Sequence, residues 1–345
     1  MKNKSRFRKL KITIAILFGI ITFGCISAYI LFFNEINTLI SIRKINNKPA
    51  YKMTYHGNYA LDKYLNTGAQ NWNEVINFLN ENLGRGVGKY IYGENQCSSF
   101  FAKTPDGDYI LARNLDTEEA IPSIIKTNPK DFFKTIGVTD LRRGGWNESS
   151  ILSRLTAISS PYYTYDGMNE YGLAVASLSV PISSSSRVDG SKITIHDITV
   201  NRVIIDKAKN VKDAIELLSK LNIKMEETYP SHYMIADSEG NSAVIEYIDG
   251  AMKVINKNGN YQIATNFILY DNKELNGYSS NRYLAFDKEL SKTNGIISVD
   301  DALELLEENV VAGKAQWSVV YNLSKKTMAV EFNNDYNNTY YFNID

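Results

Sequence analysis

The sequence has few of the residues that usually mark metal and disulfide sites. Its 345 residues include two cysteines, Cys25 and Cys97, and three histidines, His56, His196 and His232. At most one disulfide is therefore available, which excludes the small disulfide-stapled proteins. None of the histidines has the i, i+4 spacing of a helical zinc site, and no cysteine lies beside any of them. We therefore expect neither a metal nor another cofactor.

The chain also lacks an excess of charge of either sign. Lysine and arginine together number 38, aspartate and glutamate also number 38, and the formal net charge is zero. Such a chain has no long-range attraction to nucleic acid, and we expect no nucleic-acid partner. A glycine-rich phosphate loop and a G-x-S-x-G nucleophile elbow are missing as well. The hydrophobic fraction of 44% is ample for a packed core, so general disorder is excluded.

One long apolar run stands near the N-terminus. Residues 12–33 are 22 uncharged side chains that follow a stretch with six lysines and arginines. As a helix this run spans about 33 Å, enough to cross the hydrocarbon core of a bilayer. The basic flank predicts that residues 1–33 are a cytoplasmic tail and a transmembrane anchor in the cell membrane, with the rest of the chain extracytoplasmic. A cleaved secretory signal and a lipid on Cys25 remain alternatives.

The next segment, residues 34–96, differs in pattern from the remainder of the chain. Apolar residues between Tyr64 and Leu83 recur at roughly helical spacing, and Gly84, Gly86 and Gly88 end that pattern. We interpret the segment as an extracytoplasmic stalk with a small helical prosegment. A single domain then extends over residues 97–345.

Short β-like runs dominate this domain. Three predicted hairpins each join two such runs across a turn: Ser98–Thr104 with Asp108–Asn114, Tyr233–Asp237 with Ser242–Ile248, and Ser318–Leu323 with Met328–Phe332. Helical periodicity covers Val200–Leu221 and Asp300–Val310, and Ser298 is the predicted N-cap of the second helix. Hairpins with separate helices and no alternating βαβ units favour the α+β class, packed in layers.

Cys97 begins the first of these hairpins. A single cysteine on a strand is commonly a buried apolar residue, but the paired strand carries Arg113 and Asp116 near its end. A guanidinium stabilises a thiolate, and a carboxylate can hold an ammonium by a charge-assisted hydrogen bond. These roles are complementary if the base is the α-amine of Cys97 itself, which titrates near 7.7–8.0 when free. Scarcity of histidine is then no obstacle to catalysis.

Five short sequence strings follow Cys97 along the chain. Cys97 is followed by the string Arg113-Asn114-Leu115-Asp116 and by the string GMNEYGLAVA at 167–176. Later elements of the same kind are Thr265-Asn266, Ser280-Asn281-Arg282-Tyr283 and the run from Trp317 to Leu323. Over residues 97–345 the chain resembles the choloylglycine hydrolase and linear amide C–N hydrolase family, which are cysteine N-terminal-nucleophile hydrolases. The resemblance implies the four-layer αββα fold of these enzymes, here preceded by one transmembrane helix.

The resemblance also implies a mechanism, in which Cys97 attacks an amide carbonyl and forms a thioester acyl-enzyme that water hydrolyses. Asn169 and Asn266 would stabilise the oxyanion, and Asp116 would orient the amine. Arg113 and Arg282 would stabilise the charges of the thiolate and the intermediate. Taken singly, each asparagine could be a turn residue and Arg282 a solvated surface charge.

This mechanism requires Cys97 at the start of a chain, so we expect autocatalytic cleavage of the Gln96–Cys97 bond. The leading hypothesis is an amidase acting on a small-molecule acyl amide. An acyltransferase of the same fold and an uncleaved, non-catalytic envelope protein are the alternatives. Bile salts, penicillins, acyl-homoserine lactones and N-acyl amino acids all remain open as substrates, and a homo-oligomer is also open.

Overall fold

The helices fall into an N-terminal group, a central pair and a pair nearer the C-terminus. The computed structural model describes residues 2–45, 49–83, 96–150, 152–181, 183–272 and 279–345, so Gly84, Gly86 and Gly88 lie outside the described residues. The α-helices are α1 (Lys2–Leu31), α2 (Phe33–Ser41), α3 (Leu61–Thr67), α4 (Trp72–Asn82), α5 (Val200–Lys207), α6 (Val211–Ser219), α7 (Ser280–Lys292) and α8 (Val299–Glu307).

The strands form two large sheets and one small pair. They are β1 (Arg43–Lys44), β2 (Tyr51–Tyr55), β3 (Gln96–Lys103), β4 (Tyr109–Asp116), β5 (Pro122–Thr127), β6 (Thr135–Asp140), β7 (Thr164–Asn169), β8 (Ala174–Ser179), β9 (Thr194–His196), β10 (Asn222–Lys224), β11 (Ser231–Ala236), β12 (Ser242–Ile248), β13 (Ala251–Asn256), β14 (Gln262–Ala264), β15 (Ala315–Asn322), β16 (Thr327–Phe332) and β17 (Tyr340–Asn343). The larger sheet has the order β1-β2-β5-β6-β7-β8-β11-β12-β13, and the smaller has the order β14-β3-β4-β15-β16-β17. Strands β9 and β10 pair separately.

Three apolar clusters show how these elements are layered. One cluster packs the four helices from α3 through α6 against the outer face of the nine-stranded sheet. A second lies between the two sheets, and a third joins α7 and α8 to the outer face of the six-stranded sheet. Side chains alternate across each strand, as when Val175 belongs to the first cluster and Ala174 and Ala176 to the second. The order of layers is therefore helices, sheet, sheet, helices.

The three predicted hairpins are present. β3 pairs with β4, β11 with β12, and β15 with β16, all antiparallel. Gly107 has φ +96° in the first turn, a conformation that glycine adopts without steric cost. The side chain of Ser298 accepts a hydrogen bond from the backbone N–H of Asp301, so it caps α8 as predicted. Local sequence signals were sufficient for these elements.

The single helix predicted over Val200–Leu221 is instead the pair α5 and α6. The Asn210 side chain accepts a hydrogen bond from the N–H of Asp213 and thereby starts α6 as a new helix. At the end of α5, the side-chain amide of Asn169 donates to the carbonyl oxygens of Ile205 and Ala208. The break depends on this contact from a strand distant in sequence, which periodicity alone does not reveal.

The segment upstream of Cys97 is not the stalk predicted from its composition. Strand β2 pairs in parallel with β5, so this segment extends the nine-stranded sheet. The helix predicted over Tyr64–Leu83 is the pair α3 and α4, separated at Gly68, which has φ +70°. Both helices bury apolar side chains in the first cluster. The stalk interpretation was wrong because an amphipathic segment has the same periodicity whether it packs alone or on a larger domain.

Helix α1 differs from the others because its side chains are exposed. Within the described residues, Arg6–Leu31 is long and apolar enough to cross a membrane, although a signal sequence has the same properties. Phe18, Phe23 and Leu31 are more than 70% exposed. An exposed apolar surface of this length fits a lipid environment better than water.

We expect Gly172→Ala to destabilise the domain. Gly172 has φ +79°, and a Cβ there would lie 2.2 Å from the carbonyl oxygen of Leu323. The strain should lower the free energy of unfolding by about 1–3 kcal/mol, measured by thermal unfolding in detergent. Gly190→Ala is the matched control, since no atom lies within 4 Å of its added Cβ. Equal melting temperatures for the two variants would contradict the prediction.

Candidate active site

Cys97 lies near the start of β3, between β14 and β4. It is opposite Leu115 of β4, and its side chain is 1% exposed. On the other side, Ala264 of β14 is opposite Ser99. Continuing that register by two residues brings Asn266 beside Cys97. The pairing of three strands therefore places residues from distant parts of the sequence around one sulfur and one nitrogen.

The thiol of Cys97 faces a buried guanidinium. Nη2 of Arg113 lies 3.4 Å from Sγ and also donates to the carbonyl oxygen of Ser177 at 3.1 Å. The Arg113 side chain is fully buried, and its guanidinium carbon lies 5.5 Å from the ring centroid of Trp317. The sulfur therefore lies within hydrogen-bonding distance of a fixed, buried cation.

Asp166 holds Arg113 in this position. Its carboxylate accepts hydrogen bonds from Nη1 of Arg113, from Nε1 of Trp317 at 2.9 Å and from the hydroxyl of Tyr321 at 2.5 Å. Burial by itself lowers the pKa of Arg113, but the charges of Asp166 and Cys97 outweigh it, and the pKa is raised. Asp166 was not predicted from the sequence, although an acid directly before the string at 167–176, within a predominantly apolar region, was a usable signal.

The nitrogen of Cys97 lies in a second network. Its N–H donates to Oδ1 of Asn266 at 2.8 Å, and Nη2 of Arg282 donates to the same oxygen at 2.6 Å. Nη1 of Arg282 donates to Oδ2 of Asp116 at 2.8 Å, and Asp116 lies opposite Gln96 in the sheet. The structure therefore places four of the predicted residues around Cys97: Arg113, Asp116, Asn266 and Arg282.

The Asp116 carboxyl has a pKa above the usual value for aspartate. Burial raises the pKa of Asp116 to about 6, against the opposing effect of the Arg282 guanidinium and the backbone N–H of Val311. The group therefore carries most of its negative charge at neutral pH and loses it in mild acid.

The two arginines approach Cys97 from opposite faces of the six-stranded sheet. Cys97 and Trp317 belong to the cluster between the sheets, where Arg113 also lies. Arg282 is on α7, in the helical layer on the outer face, and binds Asp116 at the end of strand β4. The Arg113 guanidinium therefore contacts the sulfur. The Arg282 guanidinium contacts Asn266, which accepts the hydrogen bond from the backbone nitrogen.

Asn169 does not join the site, which corrects the prediction of an oxyanion role. It ends β7, whereas Thr164 and Tyr165 at the start of that strand line the pocket beside Cys97. Five residues of a strand separate Asn169 from Thr164, about 16 Å. Both ends of the amide are used structurally: Nδ2 bonds the carbonyl oxygens at the end of α5, and Oδ1 accepts from the N–H groups of the following turn.

A small pocket opens beside Cys97. Its volume is about 50 Å³, and its lining includes Cys97, Arg143, Tyr165, His196, Asp197 and Glu226. Ligand pockets for drug-sized molecules usually measure about 300–1,000 Å³. The space next to the sulfur therefore accommodates only a small group.

His196 shares this pocket but cannot serve as a general base for Cys97 at neutral pH. Burial by itself lowers the pKa of His196, but hydrogen bonds to Asp197 and Glu226 outweigh it and raise the pKa to about 9. Nδ1 lies 3.0 Å from Asp197 and Nε2 lies 3.6 Å from Glu226. An imidazolium has no lone pair to accept a proton. Among the described residues, no group of three or more His, Cys, Asp or Glu side chains is arranged to hold a metal ion.

Comparison with known proteins gives consistent matches. The sequence profile described as linear amide C-N hydrolases, choloylglycine hydrolase family, matches residues 97–294. A bile salt hydrolase/transferase of Clostridium perfringens is 27% identical over 198 residues, which are 54% of this chain and 59% of that protein. A penicillin V acylase of Pectobacterium atrosepticum is 27% identical over 197 residues, 53% of this chain and 52% of that protein. The chain therefore spans little more than half the length of these relatives.

Solved structures share the fold. A conjugated bile acid hydrolase from Clostridium perfringens gives a TM-score of 0.56 at 18% identity, covering 72% of this chain and 92% of that chain. A penicillin V acylase from Agrobacterium tumefaciens gives a TM-score of 0.55 at 16% identity, covering 72% and 86%. These matches confirm a domain of mixed α and β content, as the sequence predicts.

We expect Asp166→Asn to destabilise the domain and to slow the reaction of Cys97 with a thiol reagent. The substitution leaves the Arg113 guanidinium buried without its counter-charge, which costs about 3–5 kcal/mol. Thermal unfolding and the rate of alkylation by iodoacetamide, both in a Cys25→Ser background, measure the two effects. Asp106→Asn is the control because the Asp106 side chain is 82% exposed. Unchanged alkylation in Asp166→Asn would contradict the positioning role of Asp166.

Proposed function

Because the chain belongs to the linear amide C–N hydrolases of the choloylglycine hydrolase family, we propose that it hydrolyses a small-molecule acyl amide with Cys97 as an N-terminal nucleophile. One observation carries this proposal. The sulfur of Cys97 lies 3.4 Å from Arg113, while its nitrogen lies 2.8 Å from Oδ1 of Asn266. A single residue thus presents both a nucleophile and the atom that becomes its base, each held by its own buried partners.

The first step of the proposal is self-cleavage of the Gln96–Cys97 bond. Sγ of Cys97 attacks the carbonyl carbon of Gln96 and the C–N bond breaks. The nitrogen of Cys97 takes the proton that the thiol has lost. Water then hydrolyses the resulting thioester, which gives a carboxylate on Gln96 and frees both the thiol and the α-amine of Cys97. Asn266 already accepts a hydrogen bond from this nitrogen before cleavage, so the new amine would need little movement to take up its catalytic position.

The second step is turnover of the substrate. The free amine takes the proton of the thiol, and the thiolate attacks the amide carbonyl beside Arg113. Asn266 is the proposed oxyanion donor, because its side-chain amide lies beside Cys97, whose N–H donates to Oδ1 at 2.8 Å. The amine returns its proton to the leaving nitrogen, and water hydrolyses the thioester. Asp116 and Arg282 keep the amine and Asn266 in place.

A second candidate is acyl transfer to an amine. The name of the Clostridium perfringens relative includes both hydrolase and transferase, and both reactions share the thioester of Cys97. The two differ only in whether water or an amine accepts the acyl group. The product ratio at increasing concentrations of an added amine distinguishes them.

We also propose that helix α1 anchors the protein in the cell membrane, with the catalytic domain outside the cytoplasm. The length and exposed apolar surface of Arg6–Leu31 support an anchor, and the basic residues before it support a cytoplasmic N-terminus. Protease protection of an N-terminal tag in sealed vesicles tests this orientation.

We expect Cys97→Ala to abolish hydrolysis of acyl amides. The test uses a panel of conjugated bile salts, penicillin V, an N-acyl-homoserine lactone and an N-acyl amino acid, with the released amine measured by mass spectrometry. Loss of the nucleophile should reduce turnover of any cleaved substrate by at least about 10³-fold. Cys25→Ser, which changes the other thiol, should keep the wild-type rate. Turnover by Cys97→Ala at the wild-type rate would contradict the assignment.

We expect self-cleavage to slow in mild acid. Asp116, whose pKa is about 6, binds a proton below that pH and no longer holds Arg282 beside Asn266 and the nitrogen of Cys97. The rate at which the 97–345 fragment appears should therefore fall about tenfold per pH unit below 6. Asp116→Asn should cleave slowly and lack this inflection, and identical pH profiles for the variant and the wild type would contradict the role of Asp116.

Protonation of Asp116 changes the folding stability in the direction opposite to unfolding, so slower self-cleavage in mild acid can be distinguished from loss of the fold. The folded-state pKa of Asp116 lies above the usual value of 3.8, so the folded state binds the proton more tightly than the unfolded state. The contribution of Asp116 to stability is therefore fully present below pH 3.8 and is lost as the pH rises through about 6. Titration of Asp116 alone does not unfold the protein in mild acid.

A further inference from the structure

The segment upstream of the cleavage site is built into the catalytic domain. Strand β2 pairs with β5 along its whole length, from Tyr51 opposite Ser123 to Tyr55 opposite Thr127. Met53 and Tyr55 are buried on the side of the sheet that α3 and α4 cover. Removal of this segment would expose a sheet edge and the apolar face of the sheet beneath the two helices.

Buried polar contacts also join the segment to the rest of the domain. The hydroxyl of Tyr59 donates to Oδ2 of Asp206 at 2.5 Å, and Nη2 of Arg202 donates to Oδ1 of the same carboxylate at 2.5 Å. The hydroxyl of Tyr162 donates to the carbonyl oxygen of Tyr59 at 2.7 Å. All four side chains are 1% exposed or less, so loss of the segment would leave buried polar groups without partners.

The same segment contacts two residues of the pocket from behind. The ring of Trp72 lies 6.0 Å from that of His196 and 6.2 Å from that of Tyr163, measured between centroids. The hydroxyl of Tyr64 accepts a hydrogen bond from the backbone N–H of His196 at 3.3 Å. His196 and Tyr163 both line the pocket beside Cys97. The position of two pocket residues therefore depends on side chains that precede the cleavage site.

We propose that the N-terminal segment remains bound to the domain after cleavage, as a non-covalent second chain that packs against His196 and Tyr163 of the substrate pocket. The partner of the mature domain is thus the described part of its own residues 33–83. The inference rests on the proposed self-cleavage, and it goes beyond it by making the prosegment a permanent part of the active enzyme. It also means that cleavage does not detach the catalytic domain from α1.

Retention of the segment is tested on the full chain with a tag at the N-terminus. After self-cleavage, the tag should capture the 97–345 fragment in mild detergent and lose it in urea. A separate full-length variant carries Cys97→Ala and a recognition sequence for a site-specific protease, inserted between residues 87 and 88. The protease cuts this variant, which cannot cleave itself. Capture of the downstream fragment from this chain supports the inference. Its release in mild detergent would overturn the inference, whereas a wild-type chain that stays uncut would contradict only the proposed function.

The variant Trp72→Ala tests whether the N-terminal segment positions the pocket residues. We expect the variant to cleave itself and retain both fragments, but to show a KM at least about tenfold higher for the best substrate of the panel, because misplaced pocket residues weaken binding. Its kcat should change less than its KM, and Trp72→Phe should restore much of the loss.

Leu79→Ala is the matched control for Trp72→Ala. Leu79 is buried on the same helix and belongs to the same apolar cluster, so its loss tests general destabilisation. Alkylation of Cys97 by iodoacetamide, in a Cys25→Ser background, gives a readout that needs no substrate. Equal effects of the two alanine variants on KM and on alkylation would overturn the assignment of Trp72 to the pocket.

Discussion

The hydrogen bond from the backbone nitrogen of Cys97 to Oδ1 of Asn266 is the contact that organises the whole site. It forms because β14 continues beside β3 at the level of Cys97. The same oxygen accepts from Arg282, whose other nitrogen binds Asp116. A nitrogen held this way can serve as a base only once it is a free amine, so the geometry links catalysis to the removal of whatever precedes it.

The layered fold keeps the two charge networks of the site apart. Arg113 and Asp166 form a buried pair between the sheets, and this pair faces the sulfur. Arg282 and Asp116 lie toward the outer helical layer and serve the nitrogen. Because strand β3 separates the two networks, the thiolate and the ammonium of the proposed mechanism would each have a counter-charge of their own. Burial lowers the pKa of His196, but hydrogen bonds to Asp197 and Glu226 raise it to about 9, which favours a role in shaping the pocket over one in proton transfer.

Sequence patterns predicted the parts of the site that depend on local pairing. Arg113 and Asp116 share a hairpin with Cys97, and the ordered strings of the family supplied Asn266 and Arg282. Asn169 was misassigned because its amide is used by carbonyl groups at the end of α5, a contact that only the tertiary fold creates. Asp166 was missed, and residues 49–83 were taken for part of a stalk, for the same reason. Their partners lie on strands far away in the sequence.

The proposed chemistry requires Cys97 to become the first residue of a processed chain. N-terminal sequencing of the purified protein, carried out on every polypeptide that a denaturing gel resolves, decides this point. We expect a fragment that begins Cys-Ser-Ser-Phe-Phe, as residues 97–101 read. A preparation that hydrolyses acyl amides but contains only chains with residues still attached before Cys97 would show that the nucleophile works without a free amine, contrary to the proposal.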